Sequence, residues 1–179
     1  MQPPLLPEEI LHRVIKLSRL NGWSVAVFAG VCAVGSLAFG DLFGASVGLL
    51  VTFGGALEVR GYRMLKRNDA GGMRWLVRSQ LVVLAVIWAY AISRLLSFND
   101  QMVRETFSPQ MRTSLDELGL TLEDILPLAR HFIDVLYGSV LAAALIYQGG
   151  LALYYRRRTP AVEEALIPAR PTGSMPLDL

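Results

Sequence analysis

Few side chains in this sequence are placed where they could carry out chemistry. Gln148 is the one strongly polar residue well inside a long apolar block, and Gln80 lies nearer the end of another block. Arg130, His131 and Asp134 recur at helical spacing, so they can share one helix face. The glutamines predict hydrogen bonds between helices, with a substrate contact as the alternative. The second group predicts a polar cluster at a helix end, with a proton relay as the alternative.

The sequence lacks the patterns that common catalytic and metal sites require. It contains no G-x-S-x-G, no H-E-x-x-H and no C-x-x-C motif. A single cysteine, Cys32, excludes an intramolecular disulfide, and two histidines are a poor supply for a zinc site. A net charge of +2 is too small to favour nucleic acid as a partner. We therefore expect no catalytic residue, no metal, no cofactor and no nucleic-acid partner.

Long apolar blocks must position the polar residues. Four stretches without any charged residue cover 22–40, 42–57, 79–93 and 135–155. A helix needs about 20 mainly apolar residues to cross roughly 30 Å of hydrocarbon. With their flanking residues, the blocks predict an all-α integral membrane four-helix bundle. Its transmembrane domain covers 22–158, with spans at about 22–40, 42–60, 75–97 and 131–155.

Two alternatives to four spans stay open at this point. A soluble helical bundle would need more polar surface, since 18% of the residues are charged where about a quarter is usual. A secretory signal peptide cleaved after Ala38-Phe39-Gly40 would leave three spans. Glu8 and Glu9 in the preceding segment, and the length of the apolar stretch, argue against cleavage.

The basic residues predict the orientation of the chain. Of the 17 lysines and arginines, 13 fall in the N-terminal segment, the loop between spans 2 and 3, and the C-terminal tail, and four fall elsewhere. By the positive-inside rule, both termini are then cytoplasmic. The short loops and basic inner side suit a bacterial plasma (inner) membrane.

Two segments on the predicted inner side carry basic residues. Residues 1–21 form a cytoplasmic N-terminal segment, in which 5–20 read as an amphipathic helix with Ile10, Val14 and Leu17 on one face. The loop after span 2 turns at 68–72, where Asn, Asp and Gly cluster. A basic group there is a candidate contact for a lipid headgroup or another anion. It consists of Arg60, Arg63, Lys66 and Arg67.

The outer loop and the tail have different compositions. The outer loop, 99–128, carries helix-start signals, and Thr121 with Asp124 predicts a cap for a helix that continues into span 4. We expect a helical outer loop that contacts a partner or connects the spans along the membrane interface. The tail, 159–179, contains several prolines and few large apolar residues, so we expect it to be disordered.

Small residues follow one another at four-residue steps along span 2. Such spacing lets helix backbones approach closely, within one bundle or between copies of a chain. These residues are Gly44, Gly48, Thr52 and Ala56.

Taken together, these features favour a non-enzymatic integral membrane protein. We expect an accessory or scaffold subunit that acts through helix–helix and outer-loop contacts with the lipid bilayer and with other membrane proteins or itself. The alternative is a small oligomeric transporter, channel or lipid-handling protein.

Overall fold

The computed structural model describes residues 6–97, 99, 108, 110–111, 117, 119 and 121–167. Every regular element in this part of the chain is helical. The helices are α1 (Pro7–Ala38), α2 (Leu42–Lys66), α3 (Gly72–Leu96), α4 (Leu122–Ala144) and α5 (Gly150–Leu166), with a π-helical turn at Leu145–Gly149 between the last two.

Four helices are long and apolar enough to cross a membrane: α1, α2, α3 and the continuous stretch Leu122–Leu166. The shortest have 25 residues. At a rise of 1.5 Å per residue they extend roughly 37 Å, more than the roughly 30 Å of bilayer hydrocarbon. The all-helical fold with four candidate spans is therefore confirmed.

The connections between the first three helices follow local turn chemistry. Gly40 has a φ of +74°, and the Asp41 carboxylate accepts a 2.9 Å hydrogen bond from the Gly44 amide at the start of α2. Between α2 and α3, Asn68 has a φ of 60°, and Asp69 Oδ1 accepts from the Gly71 amide at 2.8 Å. These are residue types that adopt or stabilise turn backbone.

Helix α4 begins within the predicted outer loop. Thr121 Oγ1 accepts from the Asp124 amide at 3.3 Å, and Asp124 Oδ2 accepts from the Thr121 amide at 3.0 Å. This is the reciprocal capping box expected from their spacing. Most of the outer loop between Ser97 and Thr121 lies outside the described residues, including most of its predicted helix-start signals.

The contacts divide the chain into two compact units, 1–83 with 148–179, and 84–147. In the first, here called unit 1, a cluster of buried side chains draws on four helices. Its members are Ile10, Val14, Leu65, Met73, Leu76, Tyr155 and Val162. The apolar face predicted for residues 5–20 thus packs against the protein's own helices, and α1 continues without a break into the first apolar block.

In the second unit, α3 and α4 pack through aromatic residues. Trp88 Nε1 donates to the carbonyl of Leu141 at 3.2 Å. The rings of Tyr90 and Tyr137 meet edge to face, with their centroids 6.1 Å apart. Such a pair adds attraction beyond the area that it buries.

Helix α5 extends beyond the predicted fourth span. The disorder expected for 159–179 does not hold for 159–166, which are helical up to Leu166. Val162 is fully buried in the unit 1 cluster, and Pro160 lies within the helix. Burying one apolar side chain contributes about 1.5–3 kcal/mol, which offsets much of the cost of a proline inside a helix.

Candidate functional site

The most unusual side chain in unit 1 is a buried carboxylate. Glu58 of α2 is only 2% exposed, although it lies inside the predicted span 42–60. The side-chain amide of Asn21 on α1 donates to its Oε2 at 2.7 Å. The hydroxyl of Tyr155 on α5 donates to its Oε1 at 2.8 Å. Residues from three helices, α1, α2 and α5, therefore meet at one carboxylate.

Glycines let α1 and α2 approach closely enough for these hydrogen bonds. A Cβ added at Gly22, next to Asn21, would lie 3.1 Å from the backbone nitrogen of Val59. A Cβ at Gly55 would lie 2.7 Å from the backbone nitrogen of Ala26. Larger residues would separate the two backbones, because the contacting atoms are main chain. The small side chains thus set the distance that the Asn21–Glu58 hydrogen bond needs.

Packing holds the tyrosine partner of Glu58 in place. Tyr155 is fully buried, and its ring meets that of Tyr154 edge to face with the centroids 5.8 Å apart. Its ring also belongs to the unit 1 cluster, while its hydroxyl reaches Glu58. A buried tyrosine usually needs a partner for its hydroxyl, and here the carboxylate supplies it.

The two glutamines singled out by the sequence are both buried, but their side chains do not hydrogen-bond to each other. Gln80 is 1% exposed and Gln148 is 6% exposed, and the side-chain oxygen of each has no hydrogen-bond partner in the described part of the chain. A hydrogen bond between two glutamines requires one of these oxygens, so the two do not bond to each other. Gln148 lies in the π-helical turn, a feature frequent at functional sites.

The small residues of span 2 divide by environment. A Cβ added at Gly48 would lie 2.8 Å from the Cβ of Ala33, and Thr52 lies beside Gly30, so both face α1. A Cβ added at Gly44 would lie 3.0 Å from the hydroxyl oxygen of Ser36 on α1, besides contacting Asp41, whereas Ala56 is exposed. Three of the four positions therefore lie at the α1–α2 contact.

The basic group after span 2 lies at the surface of the protein. Arg60, Arg63, Lys66 and Arg67 are all exposed. The guanidinium of Arg60 lies 4.4 Å from the ring centroid of Trp75, a cation–π distance. This contact joins the ends of α2 and α3.

The predicted outer cluster is exposed as well. Arg130, His131 and Asp134 lie on the surface of α4. In the ranges that the structure describes, no hydrogen bond or ion pair joins them, and no group of three potential metal ligands is found. The second unit therefore brings them to one region of α4 without building a closed site.

Sequence reasoning missed the site at Glu58. It did not consider Asn21 or Tyr155 as partners of this residue. One signal was available, because an ionisable residue inside a predicted span is by default a functional candidate. Comparison with protein-family models, with curated proteins and with solved structures finds no match to this chain. What the fold and site define is thus a class: an all-helical protein with four potential membrane spans and a buried polar centre.

Proposed function

We propose that this chain is a non-enzymatic integral membrane protein, an accessory or scaffold subunit that acts through contacts of its helices and its outer loop. The observation that carries this proposal is the arrangement at Glu58. Both of its oxygens accept hydrogen bonds from other helices of the same chain. The buried carboxylate thus fixes helices of unit 1 relative to one another. A fixed set of helices is what a scaffold needs.

The outward faces of the helices support the same role. Large apolar side chains stand exposed along α1 and α2, among them Phe28, Val31 and Phe53. Lipid or another membrane protein would cover such faces, since both are apolar. The surfaces available for association are therefore broad and chemically simple.

The proposal includes an orientation. We place both termini in the cytoplasm of a bacterial cell with the protein in its plasma membrane, because 13 of the 17 basic residues lie on that side. A reporter active only outside the cytoplasm, fused after Leu179, tests this. Low activity is expected, and high activity would contradict the orientation.

Site-specific photo-crosslinking in native membranes tests the scaffold role. A photoreactive amino acid replaces Val31, which is 67% exposed, and in a control replaces Arg13, which is exposed on α1 before the first apolar block. We expect Val31 to give one protein adduct of constant mass and Arg13 to give none. The experiment is repeated with the photoreactive residue at Phe28 and at Phe53. If all three positions crosslink to lipid and none to protein, the result contradicts a scaffold that binds through these faces.

A second candidate function is a small oligomeric transporter, channel or lipid-handling protein. The unpaired oxygens of Gln80 and Gln148 favour it, since buried acceptors without donors could bind a passing polar group. Gln148→Leu separates the candidates. Under this second function the variant loses flux or ligand retention while remaining folded. Under the scaffold role it keeps its crosslinked partner.

A further inference from the structure

A groove in unit 1 is lined by three arginines from two helices. It has a volume of about 300 Å³. Helix α3 contributes Arg74 and Arg78, and α5 contributes Arg156. The other lining residues are Met73, Val77 and Thr159. None of the six is acidic, so the groove gathers positive charge without a carboxylate of its own.

Local geometry explains why these arginines meet. Arg74 and Arg78 are four residues apart, so they project from one face of α3. Arg156 follows Tyr155, whose burial with Met73 and Leu76 fixes α5 against α3. Like charges held this close repel one another, and a bound anion would remove that repulsion.

The guanidinium groups are the available donors. The hydroxyl of Thr159 donates to the carbonyl of Tyr155 at 3.0 Å, so it can only accept from a ligand. The guanidinium of Arg78 lies 5.8 Å from the ring centroid of Trp75. Stacking on a ring uses the face of a guanidinium and leaves its N–H edge for the paired hydrogen bonds that a phosphate accepts.

The position of the groove along the spans indicates whether its phosphate ligand is a lipid headgroup or a soluble anion. Arg78 directly precedes the uncharged stretch 79–93, and Arg156 directly follows 135–155. Trp75 and Tyr154 lie at the same ends, as aromatic residues do at the membrane–water interface. The groove thus lies at headgroup depth, with Met73 and Val77 as its apolar lining.

We propose that this groove binds the phosphate of an anionic glycerophospholipid through Arg74, Arg78 and Arg156. The phosphate accepts hydrogen bonds from the guanidinium N–H groups, and the glycerol and first acyl carbons contact Val77. The inference uses only the membrane location of the chain. It does not depend on the scaffold role.

Native mass spectrometry of the full chain in detergent tests the proposal. Phosphatidylglycerol is titrated against phosphatidylcholine, and retained lipid is counted. The groove variant is Arg74→Gln, Arg78→Gln and Arg156→Gln together. The control is Arg13→Gln, Arg19→Gln and Arg157→Gln, which removes the same charge from exposed sites outside the groove. Melting temperatures of both variants establish that they are folded.

We expect the groove variant to bind phosphatidylglycerol about tenfold more weakly than the control variant does. Equal loss in both variants would overturn the proposal, since it would mean general charge attraction. A further arm uses inorganic phosphate and glycerol phosphate as competitors. If these soluble competitors displace phosphatidylglycerol only at concentrations far above that of the lipid, the result supports a lipid site. Displacement at equal concentration would overturn it in favour of a soluble anion.

Discussion

The hydroxyl of Tyr155 donates a 2.8 Å hydrogen bond to Oε1 of Glu58, a residue 97 positions earlier in the chain. Asn21, 37 positions before Glu58, donates to the other oxygen at 2.7 Å. The carboxylate therefore links α1, α2 and α5 in unit 1. Hydrogen bonds between membrane helices contribute about 0.6 kcal/mol on average and up to about 1.7. Removing one partner of such a hydrogen bond while the other stays buried lowers the stability by more than this amount.

Replacing Asn21 with leucine tests the link between α1 and α2. Oε2 of Glu58 would lose its 2.7 Å donor while remaining buried. We expect the free energy of unfolding to fall by about 1–3 kcal/mol. Unfolding in mixed micelles, followed by circular dichroism, gives this value. Ser24→Ala on the exposed side of the same helix is the control, and an equal loss there would contradict the specific role of Asn21.

Replacing Gly48 with alanine tests the close approach of α1 and α2. The added methyl group would lie 2.8 Å from the Cβ of Ala33 and 3.1 Å from the carbonyl oxygen of Ala29. Forcing the helices apart is expected to cost about 1–3 kcal/mol. Gly138→Ala is the matched control, because nothing lies within 4 Å of a Cβ there. Melting temperatures that fall equally for both variants would show that Gly48 is not a contact point.

These cases show how much of the fold the sequence could predict. The four apolar helices, the turn at 68–72 and the Thr121–Asp124 cap depend on local composition or short spacing, and all three are found. The helical extension to Leu166 was not predicted, because Val162 is stabilised by residues distant in sequence.

The hydrogen-bond partners of Glu58 could not be predicted from the sequence for the same reason. Its partners Asn21 and Tyr155 have no fixed spacing from Glu58, and they meet it only because the helices pack as they do. The sequence did identify Gln80 and Gln148 as unusual. It predicted that they could bond to each other, whereas neither side-chain oxygen has a hydrogen-bond partner among the residues that the structure describes.

The capping box of α4 predicts that the stability of the first helical turn depends on pH. Asp124 precedes the predicted span 131–155. Hydrogen bonds from the hydroxyl and the amide of Thr121 lower the pKa of its carboxyl from the ordinary value of 3.8. A group with a lowered pKa stabilises the folded state above its ordinary pKa, and this contribution is lost as the pH falls through the lowered value. We therefore expect the first turn of α4 to fray only in acid below pH 3.8.

An NMR titration of the Asp124 side-chain carbon measures this effect. Thr121→Val removes the hydroxyl and should raise the pKa of Asp124 toward its ordinary value. Thr121→Ser keeps the hydroxyl and should leave the pKa low. A pKa that is the same in both variants would show that the hydroxyl does not stabilise the carboxylate.

The central claim is that Glu58 holds helices of its own chain together, and a double-mutant cycle measures this most directly. The free energy of unfolding in micelles is compared for the unmodified protein, Tyr155→Phe, Glu58→Leu and the double variant. We predict that the double variant loses less stability than the sum of the single losses, with a coupling of about 1 kcal/mol. Additive losses, with no coupling, would contradict the claim that this hydrogen bond links α2 and α5.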